Sequence, residues 1–339
     1  MKGNGSEDRD LKIRSGPERF LDRKDELSNY LFLLKARDQI RGWLRAKGYL
    51  EVLVPSLSPE TVPDLNLESF SVRFESAFRT GEPRELFLQT SPELLLKRML
   101  ASGFRKIFYL GPVFRQGEFA EKHHPEFTMA EWYCTGHSYL DLMAELEGML
   151  SELFLVKRPV LKLKMREALV QAAGIDFLAL KDKAQLAGAV KKKNKYFKSR
   201  GMDWDEVFEF AMVEWLQPWL EKRDAVFIYD WPSQMAMQGK LKNNERGVAE
   251  RFELYIKGIE IANGYTEETD HKEMEKRFRA EMKKRRGPGR KITPLPEKFL
   301  DALKTGMPGA AGVSLGLERL CLALLGLENL DRLMSFREL

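Results

Sequence analysis

Three separated stretches of this 339-residue chain set carboxylates, arginines and aromatic rings at spacings suited to chemistry on an anionic substrate. The first runs Phe114-Arg115-Gln116-Gly117-Glu118, crosses a polar loop, and resumes as His123-His124-Pro125-Glu126-Phe127-Thr128-Met129-Ala130-Glu131-Trp132-Tyr133. Period-two alternation puts Phe127, Met129, Glu131 and Tyr133 on one strand face. A carboxylate in such company needs a partner, so Glu131 reads as placed, although taken alone a structural glutamate is the better reading. The second stretch is Arg251-Phe252-Glu253-Leu254-Tyr255-Ile256-Lys257-Gly258-Ile259-Glu260-Ile261-Ala262-Asn263-Gly264. On one continuous strand Glu253 and Glu260 face opposite sides. With Lys257-Gly258 as a two-residue turn, Glu260 pairs instead with Tyr255, and Glu253 lies diagonally on the same face. Diagonal neighbours are about 7–8 Å apart, so the two carboxylates can share a divalent cation, and hard oxygen ligands suit Mg²⁺ on a nucleotide. The third stretch is Gly312-Val313-Ser314-Leu315-Gly316-Leu317-Glu318-Arg319. Its glycines admit a ligand close to the backbone, and Arg319 offers phosphate a planar, permanently charged donor.

Bringing these stretches together requires a scaffold that the hydrophobic pattern outlines. A helix is expected over 25–47, with Leu31, Leu33, Leu34, Ile40, Trp43 and Leu44 as its apolar stripe and Gly48 as its stop. A strand over 49–54 ends at Pro55, and strands follow at 68–75, 86–90, 105–115 and 125–134, with a helix at 92–102. After a helix at 138–155, the region 157–224 reads as a mostly helical insertion. Strands resume at 225–231 and 248–264, then come a helix at 270–285, a Gly- and Pro-broken loop at 286–296, and a strand-to-helix unit at 311–326. Strands that pair locally and helices that come in blocks predict an α+β fold with a mostly antiparallel sheet flanked by helices, not a doubly wound one. The expected organisation is a poorly ordered tail at 1–24, then one catalytic domain over 25–339 that carries the insertion.

A hydrophobic content of 43% beside 32% charged residues is ordinary for a soluble globular chain. No stretch approaches the roughly 18 apolar residues of a membrane span, and the opening MKGNGSEDRD has no apolar core for a secretory signal. Two cysteines, Cys134 and Cys321, exclude a disulfide framework and a Cys-based zinc cage, and fit a reducing cytoplasm. The net charge of +5 hides two basic islands. Residues 181–200 hold eight Lys and Arg against Asp182 alone, and 283–291 hold six with no acid. Each is either a solvated face or a contact for nucleic acid or an acidic protein. There is no GxxxxGK[ST] and no GxGxxG opening a helix, which disfavours P-loop and Rossmann nucleotide sites. Gly312–Gly316 matches GxSxG, but a hydrolase triad of that order needs a later histidine, and none follows His271.

Taken in order, the three stretches resemble the signature motifs of class II aminoacyl-tRNA synthetases. Gly48-Tyr49 to Pro55 is similar to motif 1, the dimer-interface element of that family, Arg115–Tyr133 to motif 2, and Gly312–Arg319 to motif 3. The wording HxPEFTMxEWY and RFELYxKGIExANG is similar to lysyl-tRNA synthetases, and closer to the elongation factor P β-lysine ligases, which resemble a truncated synthetase. The resemblance implies a homodimer that uses ATP and Mg²⁺. It implies that Arg115 holds the α-phosphate and substrate carboxylate, and that His123 reaches the distal phosphates. Adenine would stack between Phe127 and Arg319. Glu253 and Glu260 would hold Mg²⁺, Glu93 the substrate amino group and Asn263 the carboxylate end, while Tyr133 and Glu267 would select the lysine ε-ammonium. Where the family usually has Arg-x-Glu, this chain has Gly117 and then Glu118, which can take over on the adenine side. Ser314 stands where synthetases have Gly and the ligases Ala, and a side chain there is expected to crowd the α-amino site and favour a β-amino acid.

About 25 residues precede the motif 1 helix, too few for the anticodon-binding domain of a lysyl-tRNA synthetase. The implied acceptor is therefore a lysine side chain of elongation factor P, and the implied substrate (R)-β-lysine or lysine, with no membrane partner and no tRNA. Two alternatives are a tRNA-charging enzyme that binds the acceptor stem through the basic islands, and a catalytically idle regulatory module. Retention of Arg115, Glu253, Glu260 and Arg319 together argues against the last.

Overall fold

In a computed structural model the described residues are 24–75, 84–157, 159–284 and 293–334. The tail expected at 1–24 falls outside them except for Lys24, as does the basic island from 285 to 291. The chain runs α1 (Lys24–Ala46), β1 (Leu50–Glu51), β2 (Leu57–Ser58), β3 (Ser71–Phe74), β4 (Arg84–Leu88), α2 (Glu93–Ala101), β5 (Lys106–Phe114), β6 (Glu126–Thr135) and α3 (Tyr139–Phe154). It continues with β7 (Leu161–Lys164), α4 (Met165–Ala173), α5 (Lys183–Lys193), α6 (Trp204–Ala211), α7 (Gln217–Glu221), β8 (Ala225–Pro232), β9 (Val248–Ile256), β10 (Ile259–Thr266), α8 (His271–Lys284), α9 (Glu297–Gly306), β11 (Ala310–Gly316) and α10 (Leu317–Leu325). Eight strands form one sheet in the order β1-β5-β6-β11-β10-β9-β8-β7, and β2-β4-β3 form a small second sheet. Only the outermost pairs, β1 with β5 and β7 with β8, are parallel. The α+β reading with a mostly antiparallel sheet therefore holds. The strand expected at 49–54 is reduced to two paired residues at the sheet edge, and α9 is an element the hydrophobic pattern does not announce.

The two faces of the large sheet are buried differently, and that difference makes the site. On one face α1, α3 and α10 cover a continuous apolar layer that includes Ile40, Leu146, Leu320, Phe108, Trp132, Phe252 and Val313. On the other face two apolar clusters sit at opposite ends. Ile107, Val113 and Met129 pack with α2, α8 and α9, while Val226, Ile228 and Tyr255 pack with the helices of 165–221. Between these ends β6, β11, β10 and β9 present polar side chains. The segment 157–224 contributes β7 to the sheet edge before its helices fold back over that end.

The turn between β9 and β10 is the two-residue one expected. Lys257 and Gly258 both have positive φ, 49° and 77°, as a hairpin turn matching the strand twist requires. A Cβ at Gly258 would lie 2.5 Å from Glu221 Cγ and 3.1 Å from Glu221 Cα. Gly258→Ala should therefore lower unfolding free energy by about 1–3 kcal/mol, read as a shift in urea midpoint; an unchanged midpoint refutes this packing.

Candidate active site

Strand register assembles the site row by row. One lateral row reads Tyr109, Glu131, Ser314, Asn263 and Glu253 across β5, β6, β11, β10 and β9. The next reads Ile107, Tyr133, Gly312, Tyr265 and Arg251. Glu260 pairs with Tyr255, as the turn predicts, but the register then shifts at Ile261, so Asn263 pairs with Glu253. This bulge puts Glu260 and Asn263, three apart in sequence, on the same face. Ile261 and Ala262 turn into the opposite apolar layer.

Cations gather at one end of this face. Arg115 donates from Nε to the Thr90 carbonyl at 3.4 Å and from Nη1 to Glu118 Oε1 at 3.2 Å, and its guanidinium lies 5.0 Å from the Phe127 ring centre. Arg319 sits 3.7 Å from the other Glu118 oxygen and 3.5 Å from Glu260 Oε2. Glu118 thus bridges the two arginines. Glu118, His123, Phe127, Gly316 and Arg319 line one concavity. Burial, and then the Arg319 charge, hold the His123 imidazole below its usual range. Behind this wall Glu318 accepts the Thr128 amide on both oxygens, at 3.0 and 2.9 Å.

Arg251, which sequence reasoning passes over, ties the middle of the cleft. Its guanidinium donates to Glu253 Oε1 at 2.5 Å, to Asn263 Oδ1 at 3.2 Å and to the Met235 carbonyl at 2.7 Å. Tyr255 donates to the other Glu253 oxygen. Burial, opposed by Arg251 and reinforced by Glu260, pushes the Glu253 carboxyl up to about 7. The Glu260 charge reaches Glu253, but Arg251 and Tyr255 already occupy both Glu253 oxygens, so a divalent cation would have to displace those contacts. Among the described residues no cluster of three or more metal-ligating side chains converges.

Carboxylates gather at the far end. Glu93 lies in the first turn of α2, and Lys97 one turn on reaches its Oε1 at 2.7 Å. The same ammonium lies 2.5 Å from Glu267 Oε2 and 3.2 Å from Gln238 Oε1. Tyr265 donates to Glu93 as well. Glu131 accepts from Ser91 Oγ and from Tyr133 OH, each at 2.7 Å. The Tyr133 hydroxyl therefore goes to Glu131, not to Glu267, yet both flank Gly312. A Cβ there would strike the Tyr133 ring and come within 2.7 Å of Glu267 Oε1. That oxygen is buried and has no hydrogen-bond partner. Burial, opposed by Lys97 and reinforced by Glu93, raises the Glu267 carboxyl to about 8; burial and then Glu93 raise Glu131 to about 7.

Ser314 is in mid-strand, not at a strand-to-helix elbow, and its hydroxyl donates to the Asn263 carbonyl at 3.3 Å. This removes the geometric basis of a hydrolase nucleophile. Lys97 and Tyr265 join Arg251 as site residues that sequence reasoning misses. The i,i+4 spacing of Glu93 and Lys97 is the available signal for the first; nothing local marks the others.

A cleft with guanidinium groups at one end and buried carboxylates at the other suits a substrate that is anionic at one end and cationic at the other. The description of class II tRNA synthetases of the D, K and N group matches residues 16–338. Elongation factor P–(R)-β-lysine ligases of Salmonella arizonae, Salmonella gallinarum and Salmonella typhi are each 36% identical over 299 residues, covering 88% of this chain and 91% of theirs. The chain therefore belongs to the class II tRNA synthetase family, alongside the elongation factor P–(R)-β-lysine ligases.

Proposed function

We propose that this protein is an ATP-dependent ligase that activates (R)-β-lysine or lysine as an aminoacyl-adenylate and transfers it to a lysine side chain of elongation factor P. The observation that carries this reading is the charge layout of the cleft. Arg319 lines the concavity and Arg115 adjoins it through their shared Glu118, while Glu93, Glu131 and Glu267 are buried elsewhere on the same sheet face. An amino acid with two ammonium groups matches those carboxylates, since a charge removed from water needs a counter-charge.

In the first half-reaction a substrate carboxylate oxygen attacks the α-phosphorus of ATP, and pyrophosphate leaves. Arg115 and Arg319 offset charge as it spreads over the phosphate oxygens, so positioning and electrostatics supply the rate. Phe127 and Glu118 would hold the adenine, His123 the distal phosphates, and Asn263 the substrate carboxylate. Mg²⁺ held by Glu253 and Glu260 would neutralise phosphate charge. Tyr133 and Glu267 would face the ε-ammonium, Glu93 the other amino group, with Ser314 narrowing the floor between them. In the second half-reaction the acceptor ε-amine, having shed its proton, attacks the acyl carbonyl and AMP leaves; an unperturbed lysine near pKa 10.4 is almost wholly protonated at neutral pH.

Intact-mass measurement of elongation factor P after incubation with the protein, ATP, Mg²⁺ and α- or β-lysine tests the reading. A gain of one lysyl mass, larger with β-lysine, supports it. Consumption of ATP with lysine, no mass gain, and charging of bulk tRNA would replace it with the tRNA reading. The assignment includes a cytoplasmic homodimer with no tRNA substrate. Among the described residues no helix is long and apolar enough to cross a membrane.

Lys191, Lys192 and Lys193 are exposed on the last turn of α5, whereas Lys284 of the second island is held by Asp205 at 2.8 Å. Reversing charge at Lys191–Lys193 should raise the KM for the protein acceptor roughly tenfold through lost steering and spare adenylate formation. Unchanged acceptor kinetics would remove this surface from the interaction.

A further inference from the structure

The amine end of the cleft contains more negative charge than its own cation balances. Lys97 is 1% exposed, and its ammonium contacts Glu93, Glu267 and the Gln238 carbonyl oxygen. It also lies 5.1 Å from the Tyr265 ring centre and 6.0 Å from that of Phe299. Glu131 stands beside this group on β6. The groups facing it from each packed element are few. They are Tyr133 on β6, Tyr265 on β10, Tyr109 on β5, which feels the Glu131 charge, and Asp64 in the connection after β2, which feels Arg251 of β9, Glu93, and Arg115 after β5. Neighbouring α9 contributes the apolar Phe299 ring to Lys97. Two carboxylates, Glu93 and Glu267, contact the one fixed ammonium and a third, Glu131, feels its charge, while Asp64 lies toward the arginines. A buried cluster of that kind cannot hold two uncompensated charges in an empty cleft, so it holds protons instead.

Resting on the lysine reading above, we propose that Lys97 is a positioning residue that sets the charge of the amine end. By balancing one of the three carboxylates, it leaves room for two substrate ammonium groups, whose arrival expels protons from the cluster. Lys97 stays charged throughout, because Glu267 and Glu93 outweigh the burial that opposes its charge. It does not touch the reacting atoms. Its effect passes through the proton affinity of Glu267 and Glu131, the two carboxyls raised to about 8 and about 7. Both titrate downward when a cation binds, so protons leave on binding. Substrate affinity should then rise as pH rises through 7 to 8 and fall as pH drops below 7. A diammonium substrate completes the charge count, and an amino acid with a single ammonium leaves one carboxyl that must keep its proton.

The test is calorimetric titration of the full protein with L-lysine and with β-lysine at pH 7.0, in buffers of different ionisation enthalpy, which counts linked protons. The wild type should release roughly one to two protons per lysine. Lys97→Met should release about one more, because the cluster must hold another proton without its cation, and Lys97→Arg should match the wild type. Equal proton counts in Lys97→Met and wild type would overturn the proposal. Should Lys97→Met fail to fold, the wild type decides alone: its lysine KM in ATP–pyrophosphate exchange should rise as pH falls from 8 to 6 while the KM for ATP does not follow. Lysine binding with no released protons, or a flat KM profile, sinks the proposal and leaves the functional reading standing. Absence of both heat and exchange with either isomer sinks the functional reading itself, and the proposal with it.

Discussion

Glu267→Gln is expected to lower kcat/KM for lysine-dependent ATP–pyrophosphate exchange by roughly 10²–10³-fold, with most of the loss in the KM for lysine. The magnitude follows from truncating one partner of a buried, hydrogen-bonded charge pair, about 2–5 kcal/mol. Glu267 is 1% exposed. One of its oxygens lies 2.5 Å from Lys97, and the other has no hydrogen-bond partner and lies against Gly312. Such an orphaned acceptor is costly unless something fills it, and a substrate ammonium does so with charge to spare. Glutamine keeps the size and polar atoms of the Glu267 side chain, and thermal melting beside the kinetics checks that the variant folds. The Michaelis constants for lysine and ATP check the prediction. An unchanged lysine KM would remove Glu267 from substrate recognition, and an equal rise in both constants would point to a general distortion.

Arg115→Ala should cost roughly 10²–10³-fold in kcat for adenylate formation, the usual loss when one preorganised donor to transition-state charge is removed. Arg115 follows β5 where its guanidinium touches Phe127, Glu118 and the Thr90 carbonyl. The alanine variant therefore loses a phosphate donor and one of the two guanidinium groups that hold Glu118. Arg115→Lys should recover only part of the rate, since an ammonium keeps the charge but not the planar fork. Single-turnover adenylate formation, measured beside thermal melting, separates this role from a structural one. A fall in melting temperature with kcat intact would assign Arg115 to folding alone.

Both residues are legible in the sequence, but only through resemblance, with no local pattern beyond the strand around Arg115 to support them. Glu253 and Glu260 rest on firmer ground. Alternation and the Lys257-Gly258 turn predict the pairing of Glu260 with Tyr255, and the register agrees. The bulge at Ile261 has no such local signal. It depends on how Ile261 and Ala262 fit the apolar layer beneath, which no rule of alternation contains. The Tyr133 hydroxyl goes to Glu131, its neighbour two residues back, because the backbone holds them on one face within reach.

The sequence by itself determined what acts over a few residues: the order of most strands and helices, the two-residue turn, the apolar stripes and the residue types available for phosphate and ammonium. These follow from periodicity and turn chemistry, whose range is one turn or one strand pair. Only the tertiary structure decided that Lys97 meets Glu267, that Arg251 joins Glu253 to Asn263, and that Glu267 is buried with an unfilled oxygen. The Lys97–Glu267 contact joins helix α2 to the connection just after β10, far apart in the chain. Ionic contacts across a sheet depend on strand order and register, and the free energy that fixes these is spread over the whole apolar layer.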